Sequence, residues 1–317
     1  MNDADGFKAR KDVLMQPLQG VYNILSTPFG DDGSLDEASL RRLVDATIGM
    51  GVDGITVLGV AGEAHKLLDA ERQRVLEIVM EVNAGRVPII VGTSREGTEA
   101  TIAACREAAA SGAAGFMIAP PTFVQPGPVL TSHYQRIADA TDLSIVLQDY
   151  PVVNGVTMTP RAMADLVQAV PAITTIKLED VPTPQRTAQT LAMLEGHSVS
   201  IVGGLGGMYL LDELRRGGAG TMTGFAYPEV LVAIWQAWVA GDRQRAAEVY
   251  YRFLPLLVFE GQPKLGVAIR KELLRRRGLI DSPAVRQPGP RLDEGTAADL
   301  SEAMAWLGLE GGVAPTI

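Results

Sequence analysis

The chain has 317 residues, 47% of them hydrophobic and 21% charged, with a formal net charge of −9. That balance suits a soluble globular protein with a substantial core and argues against a nucleic-acid-binding surface. The single cysteine, Cys105, excludes an intramolecular disulfide and a thiolate metal cluster, and no apolar run reaches membrane-spanning length.

Residues 1–18 mix charges with isolated apolar residues and lack a signal-peptide core, so the expected compartment is the cytoplasm. From Val21 onward, short apolar runs alternate with amphipathic stretches. The runs are Tyr22–Ser26, Gly54–Leu58, Pro88–Gly92, Gly115–Ala119, Ser144–Gln148, Ile173–Lys177, Ser198–Gly203 and Gly220–Thr223. Helical patterns lie between them, near 37–49, 69–83, 98–111, 129–140, 160–169, 184–195 and 207–216. Cys105 falls in one of these and reads as a small core residue on a packed helix face. Strands almost continuous in apolar residues belong to a parallel sheet covered on both faces.

Eight such strands alternating with helices predict an α/β fold, a (β/α)8 TIM barrel. A doubly wound sheet would need a dinucleotide fingerprint after an early strand. The only glycine-rich turn, Gly203-Gly204-Leu205-Gly206-Gly207, comes late and has the wrong spacing. It reads instead as backbone that approaches a ligand closely or leaves pocket space. After Pro228 the periods at 229–240, 242–259, 262–278 and 295–308 are all helical. The expected organisation is therefore an N-terminal extension (1–18), a barrel (19–227) and a C-terminal helical extension (228–317). Trp235, Trp238, Tyr250, Tyr251 and Phe253 supply apolar area there, for core packing or for a subunit contact.

Of the six lysines (8, 11, 66, 177, 264 and 271), five lie in polar, charged or helical contexts that suit a solvated ammonium. Lys177 instead closes Ala-Ile-Thr-Thr-Ile-Lys (172–177), which reads as a buried strand. An ammonium is costly to desolvate unless it is paired or loses its proton. A neutral amine condenses with ketones to give a Schiff base. Taken alone, a strand-end lysine more simply snorkels to solvent.

Barrel enzymes carry their reactive groups where strands end. That rule gathers Ser26-Thr27-Pro28-Phe29, Gly59-Val60-Ala61-Gly62-Glu63, Gly92-Thr93-Ser94-Arg95, Ala119-Pro120-Pro121-Thr122, Gln148-Asp149-Tyr150-Pro151 and Lys177-Leu178-Glu179. A Schiff-base lyase needs amide donors for a 2-oxo acid's carboxylate, which the turn Gly59, Val60, Ala61 and Gly62 can supply. It also needs a group that moves protons at C3 and at the leaving group.

Thr27-Pro28-Phe29, Gly59-x-x-Gly62-Glu63, Pro151 with Gly155 beyond it, and Lys177 together resemble the dihydrodipicolinate synthase / N-acetylneuraminate lyase family. The resemblance runs from about residue 18 to residue 310. It implies a class I aldolase-type fold, a homo-oligomer (tetramer or dimer), and a Schiff base between Lys177 and a 2-oxo acid. No metal or cofactor is called for.

The departures narrow the chemistry. Where the synthase proper has two threonines between the glycines, this chain has Val60 and Ala61. Its tyrosine after strand 4 falls at Thr122, its strand-5 tyrosine at Gln148, and its carboxylate-holding arginine at Val153. Glutamine cannot act as a phenol and valine cannot bind a carboxylate, so lysine-pathway synthase activity is not expected. Tyr150 keeps the strand face of Gln148, but the chain is already turning at Pro151. Gln148 with Lys177-x-Glu179 resembles the family's 2-keto-3-deoxy sugar acid dehydratase branch.

Residues 177 and 179 share a strand face, so Glu179 is the candidate proton shuttle, with Gln148 orienting water or a hydroxyl. The alternative for Glu179 is an ordinary strand-end charge. Arg95 would bind a substrate hydroxyl or distal carboxylate, or cap its loop. Thr27, Thr122 and Gly204 complete the candidate substrate-binding set, and Glu63 would orient the 59–62 turn. His65, His133 and His197 form no ligand spacing. The expected function is a Schiff-base hydro-lyase on a small 2-keto-3-deoxy sugar acid, with no nucleic-acid or membrane partner. A pyruvate-dependent aldolase or a dihydrodipicolinate synthase-like enzyme would use the same imine. A catalytically silent barrel that binds oxo acids is the alternative from another class.

Overall fold

The structure is a computed structural model that describes residues 16–317. Of the extension expected over 1–18, residues 1–15 lie outside the described residues.

Eight parallel strands close into a barrel in chain order: β1 (Gly20–Ile24), β2 (Gly54–Val57), β3 (Ile89–Gly92), β4 (Gly115–Ile118), β5 (Ser144–Asp149), β6 (Ile173–Leu178), β7 (Ser200–Gly203) and β8 (Gly220–Thr223). Helices α1 (Glu37–Gly49), α2 (Asp69–Asn83), α3 (Thr98–Ala110) and α4 (Pro128–Asp139) follow the first four strands. After β5 come the single turn α5 (Pro151–Asn154) and α6 (Pro160–Ala169), and α7 (Thr183–Met193) and α8 (Leu210–Arg215) follow β6 and β7. The C-terminal extension is α9 (Pro228–Val239), α10 (Arg243–Glu260), α11 (Gly266–Arg276) and α12 (Glu294–Leu307). This is the expected (β/α)8 barrel with its helical extension.

Every strand residue is buried, which is why the strands read as unbroken apolar runs rather than alternating ones. Helix starts follow capping chemistry. The Asp36 carboxylate accepts from Ser39 N at 3.0 Å and Thr159 Oγ1 from Ala162 N at 3.1 Å. Boundaries move where local geometry overrides the apolar pattern. β1 sits two residues earlier than the run at 22–26, because Phe29 leaves the barrel to bridge Leu35. β7 begins at Ser200, after a tight turn in which Val199 N bonds His197 O. α8 begins at Leu210, since Gly206 and Gly207 have φ of 70° and 84°.

By its contacts the chain forms two units. One takes the segment up to Gln19 with residues 88–204 and 212–221, and carries β3 to β7. The other takes 20–87, 205–211 and 222–317, and carries β1, β2 and the C-terminal helices. In the second unit Tyr250 and Phe253 are core residues, whereas Tyr251 is exposed. Trp238 lies under the Arg243 guanidinium, 3.5 Å from the ring centre. Cys105 is buried on α3, its Sγ 3.2 Å from Thr93 Oγ1.

Candidate active site

The chemistry-bearing group of the first unit is built by two adjacent strands. Gln148 of β5 and Lys177 of β6 are register partners, so their side chains leave the sheet on the same face. Glu179, two residues on, returns to that face, and its N–H donates to Asp149 O at 2.9 Å, extending the β5–β6 ladder. The three side chains meet at one oxygen. Lys177 Nζ lies 2.8 Å from Glu179 Oε2, and Gln148 Nε2 donates to that same oxygen at 2.9 Å. Lys177 is 2% exposed and Glu179 5% exposed. The lysine therefore does not snorkel. Its charge is compensated inside the protein, the arrangement that makes a buried ammonium tolerable.

Gly204 belongs to this cluster. A Cβ built there would collide with the Glu179 carboxyl, so the missing side chain makes room for Glu179 itself. Behind the cluster, burial pushes the Asp149 carboxyl up to about 7, against the opposing pull of Arg186. Arg186 Nη2 reaches Asp149 Oδ2 at 3.4 Å and Asp180 Oδ2 at 3.3 Å, tying down the chain that leaves β6.

Other expected site residues in this unit are engaged differently. Thr122 is exposed, and both its N–H and Oγ1 donate to Glu96 Oε2 at 2.9 Å. The Arg95 guanidinium donates to Ser94 O at 2.9 Å, the loop-capping alternative. Tyr150 opens α5 with φ −135° and ψ 71°, beyond the strand. The histidines of this unit, which were not expected in the site, stand apart from it: His197 is exposed, and His133 is buried with Nδ1 2.9 Å from Thr98 Oγ1.

The second unit contains the 59–62 turn. After Leu58, which is left-handed at φ 57°, Val60–Gly62 form one turn of 3₁₀ helix. Thr27 Oγ1 donates to Gly62 O at 2.7 Å, so Thr27 anchors the turn. Gly62 N is already bonded to Gly59 O at 3.0 Å. Of the expected four-residue donor set, Gly62 N is thus engaged, while the Val60 and Ala61 N–H groups open the turn and have no partner within it. A Cβ on Gly62 would lie 2.9 Å from Leu25 O, which explains glycine there.

Glu63 fixes the far end of the turn. It is buried, pairs with Lys66 at 2.9 Å and Lys271 at 2.6 Å, and accepts from Arg286 N at 3.1 Å. Lys271 corrects the sequence reading. It is 0% exposed, and its Nζ lies 4.3 Å over the Phe29 ring. Burial pushes its amine down to about 8, with Glu63 opposing. The available signal was α11 itself, which buries every residue from Ala268 to Leu274 and so has no polar face for a lysine.

A closed parallel barrel with a buried lysine and carboxyl at the end of β6 has the architecture in which barrel enzymes carry reactive groups where strands end. The chain belongs to the dihydrodipicolinate synthetase family, whose model matches residues 17–305, and it is accordingly a lyase. It is 32% identical over 287 residues to L-2-keto-3-deoxyarabonate dehydratase of Azospirillum brasilense, covering 89% of this chain and 92% of that one. It is 30% identical over 247 residues to a protein of Escherichia coli K12 described as a probable 2-dehydro-3-deoxy-D-pentonate aldolase, covering 76% and 81%. Among solved structures, dihydrodipicolinate synthase of Rhodopseudomonas palustris superposes with a TM-score of 0.86 at 34% identity, covering 92% of this chain and all of that one (100%).

Proposed function

We propose that the chain is a Schiff-base hydro-lyase that removes water from a 2-keto-3-deoxy sugar acid. The observation that carries this is Glu179 Oε2, held 2.8 Å from the Lys177 amine with Gln148 Nε2 on the same atom. In this reading Lys177 Nζ attacks C2 of the oxo acid and water leaves, giving an iminium. C3 is then one bond from the imine carbon, within reach of a carboxylate beside Nζ. Glu179 takes a proton from C3, and the resulting enamine expels the C4 hydroxyl, to which Glu179 returns the proton. The C3–H and C4–O bonds break with loss of one water. Hydrolysis of the iminium at C2 then consumes the water released when it formed and frees Lys177, so the net change is one water lost. The amides of the 59–62 turn keep the role expected from the sequence, as donors for a carboxylate.

Aldol cleavage would instead break C3–C4 and needs a base on the C4 hydroxyl proton. The amide of Gln148 cannot accept that proton, and in this reading Glu179 acts first at C3, so dehydration is the reading taken. The enzyme is read as a cytoplasmic homo-oligomer acting on a small molecule. Among the described residues no helix is long and apolar enough to cross a membrane.

The test is a panel of 2-keto-3-deoxy acids followed by NMR. The expected result is a product lacking one water, with no pyruvate. Pyruvate plus an aldehyde would replace this reading with the aldolase.

A further inference from the structure

Outside the proposed machinery, one buried group lacks a role. Glu213, on α8, is 2% exposed. Thr183 Oγ1 donates to its Oε1 at 2.5 Å, and its Oε2 has no hydrogen-bond partner. Among the described residues it makes no ion pair. A carboxylate in that position would be an uncompensated buried charge, whereas a carboxylic acid is tolerable.

Its location gives it a use. Lys177 is register partner of Val202 and Leu178 of Gly203, so Gly203 faces away from the Lys177 side of the sheet and Gly204 faces toward it. A Cβ on Gly203 would collide with Glu213 Oε2, and one on Gly204 with Glu179. Two carboxyls thus press on opposite sides of one bare strand end, with only main chain between them.

We propose, building on the dehydratase reading, that Glu213 is a positioning residue for Glu179, held as a neutral acid so that Glu179 alone carries the negative charge facing Lys177. Burial pushes the Glu213 carboxyl up to about 8. The charged groups acting on it are Glu179 from the end of β6 and Asp212 on its own helix, both negative, while Thr183 of α7 supplies only a hydroxyl. Above that pH Glu213 ionises, and a second negative charge behind the glycines repels the Glu179 carboxylate from its seat beside Lys177. Proton abstraction from C3 then stalls.

Glu213→Gln is isosteric with the neutral acid and tests this. The expected result is a kcat at pH 7 close to wild type, with loss of the fall in kcat centred near pH 8. Infrared difference spectra supply a readout that needs no turnover. Between about pH 7 and pH 8, above the range in which Asp149 holds its proton, the wild-type minus Glu213→Gln difference should show a carboxylic-acid C=O band that disappears at higher pH. A missing band, or a variant that keeps the wild-type alkaline limb, overturns the proposal. Borohydride trapping of an oxo acid is run in parallel and is blind to Glu213. No adduct at Lys177 overturns the dehydratase reading, and the positioning role with it, by a separate signature.

Discussion

At the scale of single residues, the central object is one carboxylate oxygen shared by an amine and an amide. Glu179→Gln keeps the shape but removes the base. We expect kcat to fall by about 10²–10⁴, while imine formation persists, because nucleophilic attack by Lys177 does not require that carboxylate to carry the C3 proton. Rapid-quench kinetics with parallel borohydride trapping would read both, and full activity in the variant would remove Glu179 from the mechanism. Gly204→Ala reaches the same oxygen by sterics, since its Cβ collides with the Glu179 carboxyl. It should lower kcat with the melting temperature nearly unchanged, and unimpaired turnover would show that Glu179's position is not critical. Lys177 and Glu179 were legible through strand period, and Gln148 through the family resemblance, whereas the register that pairs Gln148 with Lys177 came only with the structure. Glu213 was not, because a lone acid on a short helix carries no sign of burial until the β7 glycines are seen beside it.

At the scale of elements, Asp149 at the end of β5 and Glu213 on α8, against the end of β7, are acids whose proton affinity burial raises, to about 7 and about 8. Both values lie above those of the unfolded chain, near 4. Between about pH 4 and pH 8 the folded state therefore holds protons that the unfolded state has released. The sign follows: stability falls as pH rises through that window, and is undiminished by these groups below it. Thermal melts should show Tm declining from pH 5 to 8, and Glu213→Gln should flatten the slope. A variant whose Tm tracks wild type across that range would contradict the burial argument. The strand-2 turn offers a second check. Gly62→Ala places a methyl 2.9 Å from Leu25 O and disturbs the Val60 and Ala61 amides, so KM should rise more than kcat falls. An unchanged KM would detach the turn from carboxylate binding. The glycines and Glu63 announced this turn in sequence, but its 3₁₀ form did not, because a three-residue turn has no periodicity to read.

At the scale of the whole molecule, eight apolar runs were enough to predict the barrel, because strands covered on both faces are built mainly of apolar residues. Strand edges were less legible. At β1 and β7 the chain leaves the barrel while still apolar, and turn geometry decides the boundary. The buried Lys271 was missed for a related reason, since charge in a sequence reads as surface until a partner such as Glu63 is found 2.6 Å away. Two buried lysines now compete for the role of nucleophile: the carboxyl beside Lys271, Glu63, is also held by Lys66 and the Arg286 N–H, whereas the one beside Lys177 is Glu179, the proposed base. Borohydride reduction in the presence of pyruvate, followed by intact mass and peptide mapping, separates them. The account predicts one reduced pyruvate per chain, located on Lys177 and absent from Lys177→Ala. An adduct on Lys271, an adduct that survives Lys177→Ala, or none at all would contradict it.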